Sequence, residues 1–512
     1  MNRKRRRTAA KAGRSPAPAP ARASAVEAGD TLKKAQALHE SGQFEDAAAL
    51  YGRILGRDPR RSDVFHRIGV DAVDKGAYGA GAALIRKAIE ANPAVASYHV
   101  DLARALEHQD RLEETVEAYR RALEIDPGDA RAHKALGHVL NVLDRPAEAE
   151  AAFRRALGPD DMEAYNYLAV VLKAQGRLDE AIEACRKAIG IDPDYAEGHV
   201  HLADCLLLDG QFEEGLREYE WRGRLGDVTL PGRRLAQPQW DGADPAGKTI
   251  LVVGEQGFGD TIQFCRYAPL IRARGARVVL AVQPALKDLC SRMDGVDRVV
   301  TSHQPLPEFD LHVPLLSLPF LFGTTLETVP AQVPYLRPAP EHIAHWRETL
   351  ADKPGLRVGI AWQGTPMGGA DRGRSLDLGR FLPMARMPGV RLFSLQKGHG
   401  HEQLGDLPEG IGIADLGSRC ATFDDTAAVM ANLDLVITSD TSVAHLAGAL
   451  GRPVWVALKR SPDWRWLLER ADSPWYPTMR LFRQRVSGEW DDVFEAISAA
   501  VAERLGERNG AP

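Results

Sequence analysis

Asp440, Thr441, Ser442 and His445 lie in the stretch LDLVITSDTSVAHLAGALGRPVWVAL (433–458). Leu435, Val436 and Ile437 form an unbroken apolar run, as a strand buried on both faces requires. Ser439 to Ser442 are four short polar side chains that can accept from free first-turn amides. Val443–Leu450 reads as helix, Gly451 and Pro453 stop it, and Val454–Leu458 is the next strand. Asp440 therefore falls at the carboxyl end of a parallel strand and the amino end of a helix. Ligands of open α/β sheets bind there, and unpaired amides plus the helix dipole favour an anion such as a diphosphate. The same residues also suit an ordinary capped loop with no ligand.

A second constellation is GEQGFGDTIQF (254–264), with Gly254, Gly257 and Gly259 after a strand. The spacing G-x-x-G-x-G is not the dinucleotide fingerprint, and no G-K-[ST] follows as in a Walker loop. The glycines call for close backbone approach. Asp260 opens the following helix, where a carboxylate is stabilised as the anion. It is either a cap or a base able to take a proton from an acceptor hydroxyl. Gly257, Gly259 and Gln263 would shape the acceptor side. Further donor-side candidates are Gln363 and Gly364 after RVGIAW (357–362), Arg374 and Ser375 in GADRGRSLDL (369–378), and Gln396 and Lys397 after RLFSL (391–395). Arg374 is equally a solvated surface arginine. Trp464, Trp466, Trp475 and Tyr476 crowd one span (461–484). They could rim a sugar site, but aromatics more often fill cores and interfaces, and packing is the favoured reading.

The elements around these loops alternate strand and helix, which means a parallel sheet with crossovers. Ile250–Val253, Val278–Val282 and Arg298–Thr301 are expected strands, with helices over Thr261–Ala273 and Ala285–Met293. The proline-rich Pro305–Pro340 reads as the end of one unit and a crossing segment. A second unit takes strands at Arg357–Trp362, Arg391–Leu395, 435–437, Val454–Leu458 and Arg480–Arg483, with a closing helix over Glu489–Leu505. Two such units in tandem have their strand ends facing across a cleft.

The first half is self-similar. Small residues recur at Ala35, Gly69, Ala103, Gly137, Ala169 and Ala203. Turn residues follow at Gly42, Gly76, Asp110, Asp144, Gly176 and Gly210, and prolines close units at Pro59, Pro93, Pro127, Pro159 and Pro193. The pattern resembles the tetratricopeptide repeat (TPR), a helix–turn–helix of about 34 residues. Each pair hides its apolar face by stacking on the next. The resemblance covers about six units over 28–222 and implies a curved solenoid whose groove binds peptide or protein. Lys134, Asn141, Asn166 and Lys173 fall on first helices and are candidate groove residues.

The α/β half, about 248–505, resembles the heptosyltransferase-type family 9 of the glycosyltransferases, which have the GT-B fold. That family carries a Gly-Asp after its first strand, here Gly259-Asp260. It also carries Asp-Thr-Gly-x-x-His, here Asp440-Thr441-Ser442-Val443-Ala444-His445. The resemblance implies inversion at the sugar carbon, Asp260 as base and no metal. Asp440, Thr441 and Ser442 would take the donor diphosphate, with His445 near it. Ser442 stands where the motif has glycine, which bears on donor identity. Arg374 takes roughly the place of a basic residue that meets phosphate in the family. The pair Gln396-Lys397 also resembles one in the repeat-bearing O-GlcNAc transferases.

The remaining 512-residue composition is ordinary, with 65 Lys+Arg against 70 Asp+Glu and a net charge of -5, which suggests no general nucleic-acid role. No apolar run is long enough to span a bilayer. Five scattered cysteines read as reduced thiols of a cytoplasmic protein. Residues 1–27 form a basic arm, expected to be solvated, with weak membrane-surface contact as the alternative. The expected order is arm (1–27), repeats (28–222), linker (223–247), acceptor-side unit (248–340) and nucleotide-sugar-side unit (341–512). The expected fold is thus a TPR α-solenoid followed by a GT-B pair of Rossmann-like units. The expected activity is metal-independent transfer from a nucleotide-sugar to a protein acceptor recruited by the repeats, with no other cofactor. By analogy a flagellin-like surface protein is one such acceptor. The rival readings are a non-catalytic scaffold with a degenerate transferase half, which Ser442 favours, and a lipopolysaccharide-type transferase.

Overall fold

The computed structural model describes residues 30–510 except 32, 36, 39–40, 42–43, 59, 227–234, 302–303, 352–353 and 366–372. The basic arm, the turn at Gly42, Pro59, part of the linker and the start of GADRGRSLDL lie outside the described residues. By packing, the chain divides into two compact units, 1–157 and 158–512.

The first unit consists of paired helices, from Phe44–Arg57 through Ser62–Asp74, Tyr78–Ala91, Ala96–Glu107, Leu112–Ile125 and Ala130–Val142 to Pro146–Ala156. The recurring small residues sit where helices of a pair touch. A Cβ on Gly69 would lie 2.6 Å from Ile85 Cγ1, and one on Gly137 would lie 2.8–2.9 Å from the Phe153 ring. A second periodic device, not read from the sequence, ties each helix to the preceding turn. The Nε2 atoms of His99, His133 and His199 each lie 3.0 Å from the carbonyl of the proline six residues earlier (Pro93, Pro127, Pro193).

The second unit begins with the last repeat helices, Met162–Ala174, Leu178–Ile191, Ala196–Leu208 and Phe212–Tyr219. Two parallel sheets follow. The first has β1 (Thr249–Val253), β2 (Arg277–Val282), β3 (Arg298–Thr301) and β4 (Leu311–Pro314), in the order β3-β2-β1-β4. The second has β5 (Leu356–Ala361), β6 (Val390–Ser394), β7 (Ala414–Asp415), β8 (Leu435–Ser439), β9 (Val454–Leu458) and β10 (Met479–Arg483), in the order β10-β9-β8-β5-β6-β7. The expected order, a repeating helical array followed by two parallel α/β sheets, is present.

Three local expectations are corrected. The crossing segment contains β4, whose terminal Pro314 is tolerated because the strand is at the sheet edge. The helix expected over Thr261–Ala273 breaks into Phe258–Phe264, a 3-10 turn Cys265–Tyr267 and Ala268–Ala273, where Pro269 occupies a first-turn position. The helix expected over Ala285–Met293 is regular only over Lys287–Cys290.

The packing boundary falls before the last repeats, not at the linker, because those repeats are cemented to the sheets. Phe212 and Tyr219 meet the Trp464 ring at 6.1 and 6.3 Å. Gln256 Nε2 donates to the Tyr219 hydroxyl at 3.1 Å. Buried Arg222 pairs with buried Glu255 at 2.9 Å. The aromatic span thus serves packing, as favoured.

Helix Ser442–Ala449 packs so tightly that a Cβ on Gly448 would lie 2.4 Å from Tyr476 Cδ1, in a ring with no exposed surface. Gly448→Ala is therefore expected to destabilise the chain by about 1–3 kcal/mol, the usual cost of overpacking. The shift in urea midpoint measures it.

Candidate functional site

Gly254 ends β1 by donating to Ala281 O at 2.7 Å, and a Cβ there would lie 2.9 Å from that same oxygen. The chain then turns through Gln256 at φ +58 into helix Phe258–Phe264. Asp260 Oδ2 accepts from the Gly257 amide at 2.9 Å, and Oδ1 takes the Arg465 guanidinium. The Asp260 side chain keeps 19% of its surface open. Burial pushes its carboxyl up; Arg465 pulls it back and the neighbouring Asp463 charge adds to the rise.

The second loop comes up against the first. A Cβ on Gly259 would lie 2.8 Å from His445 Cδ2, so the Gly-Asp pair needs its glycine to let the two loops meet. Helix Ser442–Ala449 starts at Thr441, which makes no side-chain capping hydrogen bond. Its hydroxyl instead lies 3.3 Å from Thr438 Oγ1, and Ser439 Oγ donates to Trp362 O at 3.2 Å. The ordinary-cap reading of this loop therefore lacks the bond that defines it. Ser442 is the first residue of a right-handed helix, so its position does not require a glycine backbone. Asp440 is pushed up to about 6, chiefly by burial and then by Asp463, against the Trp466 indole, Arg374 and Arg465.

His445 is buried, with Nδ1 3.0 Å from the Tyr476 hydroxyl and its ring stacked on Trp466 at 5.1 Å. Burial and then Arg465 push it down to about 3, so it is a neutral brace. Gln263, expected to shape the acceptor side, is fully buried, with neither side-chain amide atom hydrogen-bonded.

On the donor side, Gly364 lies against Arg374, whose Nη2 would be 2.8 Å from a Cβ there. Ser375 is half-buried next to it. Gln396 is spent on the backbone: Oε1 accepts from the Trp362 and Gln363 amides at 2.9 and 3.1 Å, and Nε2 donates to Gln363 O and His399 O. Gln363 Nε2 donates to Leu376 O at 3.0 Å, and Lys397 Nζ to Cys420 O at 2.6 Å. Gln363, Gln396 and Lys397, expected on the donor side, thus tie their loops to neighbouring backbone.

Three charged residues beside these loops escaped the sequence reading: Lys459, just after β9, and Asp463 and Arg465 within the aromatic span. Arg465 bonds Asp463 Oδ1 at 2.8 Å as well as Asp260. Burial lowers the proton affinity of the Lys459 ammonium, and Asp440 partly restores it. The signal was there, an arginine between two tryptophans, but its partner lies two hundred residues away in sequence. Of the candidate groove residues, Asn166 bonds the Tyr195 hydroxyl at 3.1 Å and His201 Nδ1 at 2.7 Å. Lys173 pairs with Asp204 at 3.0 Å. Lys134 and Asn141 also carry partners.

Helical repeats are thus joined to two parallel α/β sheets, whose facing loops offer a carboxylate and a helix start without a side-chain cap. The tetratricopeptide repeat model matches residues 66–130, 116–161 and 163–195, and that of glycosyltransferase family 9 (heptosyltransferase) matches 384–459. The chain thus carries tetratricopeptide repeats in its first half and a family 9 glycosyltransferase match in its second. It is 28% identical over 377 residues to Protein FlbA of Caulobacter vibrioides, a match covering 67% of this chain and 62% of FlbA. It is 33% identical over 58 residues to the DnaJ homolog subfamily C member 7 homolog of Dictyostelium discoideum, covering 11% of each. The solved structure of YrrB, a TPR protein, overlays with TM-score 0.32 and 18% identity, covering 33% of this chain and 89% of YrrB. No described helix is long and apolar enough to cross a membrane.

Proposed function

We propose that the protein is a cytoplasmic glycosyltransferase that moves a sugar from a nucleotide-sugar to a hydroxyl of a protein held by its repeats, with inversion. Asp260 takes the proton of the acceptor hydroxyl as that oxygen bonds to the anomeric carbon and the carbon–oxygen bond to the diphosphate breaks. The charge left on the diphosphate is gathered by the first amides of helix Ser442–Ala449, with Arg374 and Lys459 supplying positive charge beside Asp440 in place of a metal ion. The observation that carries this reading is the meeting of the two loops: Gly259 against His445, with the uncapped helix start on one side and Asp260 on the other.

The scaffold reading draws on one observation, the guanidinium already seated on Asp260. The two separate in one experiment. The full chain is incubated with UDP-, GDP-, ADP- and CMP-linked sugars and the proteins it captures from its own cells. A captured protein that gains the mass of one sugar supports transfer. Capture with no gain from any donor supports the scaffold.

A further inference from the structure

The turn Trp464–Trp466 places three consecutive side chains on three different partners. Trp464 meets Phe212 and Tyr219 of the last repeat. Arg465 meets Asp260. Trp466 stacks on His445 of the Asp-Thr-Ser helix. From this juxtaposition, and resting on the transfer reading above, we infer that Arg465 is the positioning residue of Asp260, and that the last repeat holds it there through Trp464.

The geometry leaves the guanidinium little freedom. It is buried, its Nη1 bonds Asp463 Oδ1 at 2.8 Å, and its Cζ lies 4.6 Å from the Trp464 ring centre and 5.3 Å from that of Phe264. Asp463 also accepts from the Arg465 amide at 3.0 Å, closing the turn. The next residue, Leu467, stands at φ +55, a conformation that costs a branched side chain energy and persists only where the surroundings enforce it. A planar fork stacked and paired in this way is not replaced by a lysine ammonium. Each carboxylate oxygen accepts more than one hydrogen bond, so Asp260 keeps capacity for a substrate hydroxyl while Gly257 and Arg465 fix its plane.

The charges facing Asp260 are Arg465 and Asp463, both from the turn. His445, across Gly259, is neutral. Asp440 shares the Asp463 neighbour. Without Arg465, only the backbone amides of Gly257 and Asp260 oppose burial and Asp463, and the proton affinity of Asp260 rises, so the carboxyl stays protonated over part of the range in which the wild type is ionised. Without Asp463, it falls.

The test reads Asp260 directly, in the full chain and without substrate. A water-soluble carbodiimide and an amine label protonated carboxyls, and mass spectrometry follows the Asp260 peptide from pH 4 to 9. Arg465→Gln is expected to raise the labelling midpoint by about a unit or more, roughly a tenfold change in the protonated-to-ionised ratio at a fixed pH. Arg465→Lys should return it toward wild type, and Asp463→Asn should lower it. A folded Arg465→Gln with the wild-type midpoint overturns the inference. If that variant does not fold, an unmoved midpoint in Asp463→Asn overturns it instead. Where a donor from the panel above is turned over, the acid limb of the pH–rate profile must move with the label, and an unmoved limb also counts against the role. If no donor is turned over, the transfer reading fails and the labelling still decides Arg465.

Discussion

Arg222→Ala is expected to cost the chain about 3–5 kcal/mol, because removing one partner of a buried ion pair strands the other charge in the interior. Arg222 Nη2 lies 2.9 Å from Glu255 Oε1 and Nε lies 3.2 Å from Oε2, with the side chains 7% and 4% exposed. Nη1 bonds Glu220 at 2.7 Å, and Nη2 also donates to Ser317 Oγ at 2.9 Å. Glu255 accepts from the Leu316 amide at 2.9 Å, so after the substitution it has one neutral donor in place of a bidentate cation. The loss falls at the junction of the last repeat, the glycine-rich loop and the segment after β4. Urea unfolding should report it as a lower midpoint with similar slope. Adding Glu255→Gln should recover part of it, since the stranded charge is then gone. A single-variant loss below about 1 kcal/mol would mean that water reaches Glu255 and that the pair resembles a surface bridge.

The same junction explains what was legible in the sequence. The repeat was legible because its contacts are local and periodic: the Gly69 and Ile85 that touch are 16 positions apart, inside one period. The bounds of β9 were read to the residue because a continuous apolar run between a proline and polar residues leaves no other register. The helix after the glycine-rich loop was misjudged because Pro269 acts at a first turn that periodicity does not mark. Gln396 and Lys397 were read as ligand groups because their side chains suit phosphates and sugars, yet backbone carbonyls and amides consume them. Arg465, Asp463 and Lys459 were passed over because their meaning depends on pairs far apart in the chain. The placement of Asp260 by its position at a helix start was right locally, and silent about the cation that sits on it.

On the transfer reading, Asp260→Asn is expected to lower the rate of transfer by 10²–10⁴-fold, the usual contribution of a positioned general base, roughly. The amide keeps the size of the carboxyl but has no basic oxygen at neutral pH. The fold should survive, because Arg465 still has Asp463 at 2.8 Å to balance its buried charge, and removing Asp260 takes away an anion that burial disfavours. Thermal unfolding close to that of wild type, together with lost turnover, would separate loss of the base from loss of the site. The pH dependence carries a sign. The base works ionised and burial raises its proton affinity, so wild-type turnover should fall as pH drops through a value above that of an unburied aspartate. That limb should be absent from the residual rate of the asparagine variant. A residual rate with the wild-type limb would move the essential group elsewhere, with Asp440, itself pushed up to about 6, the next carboxyl to replace.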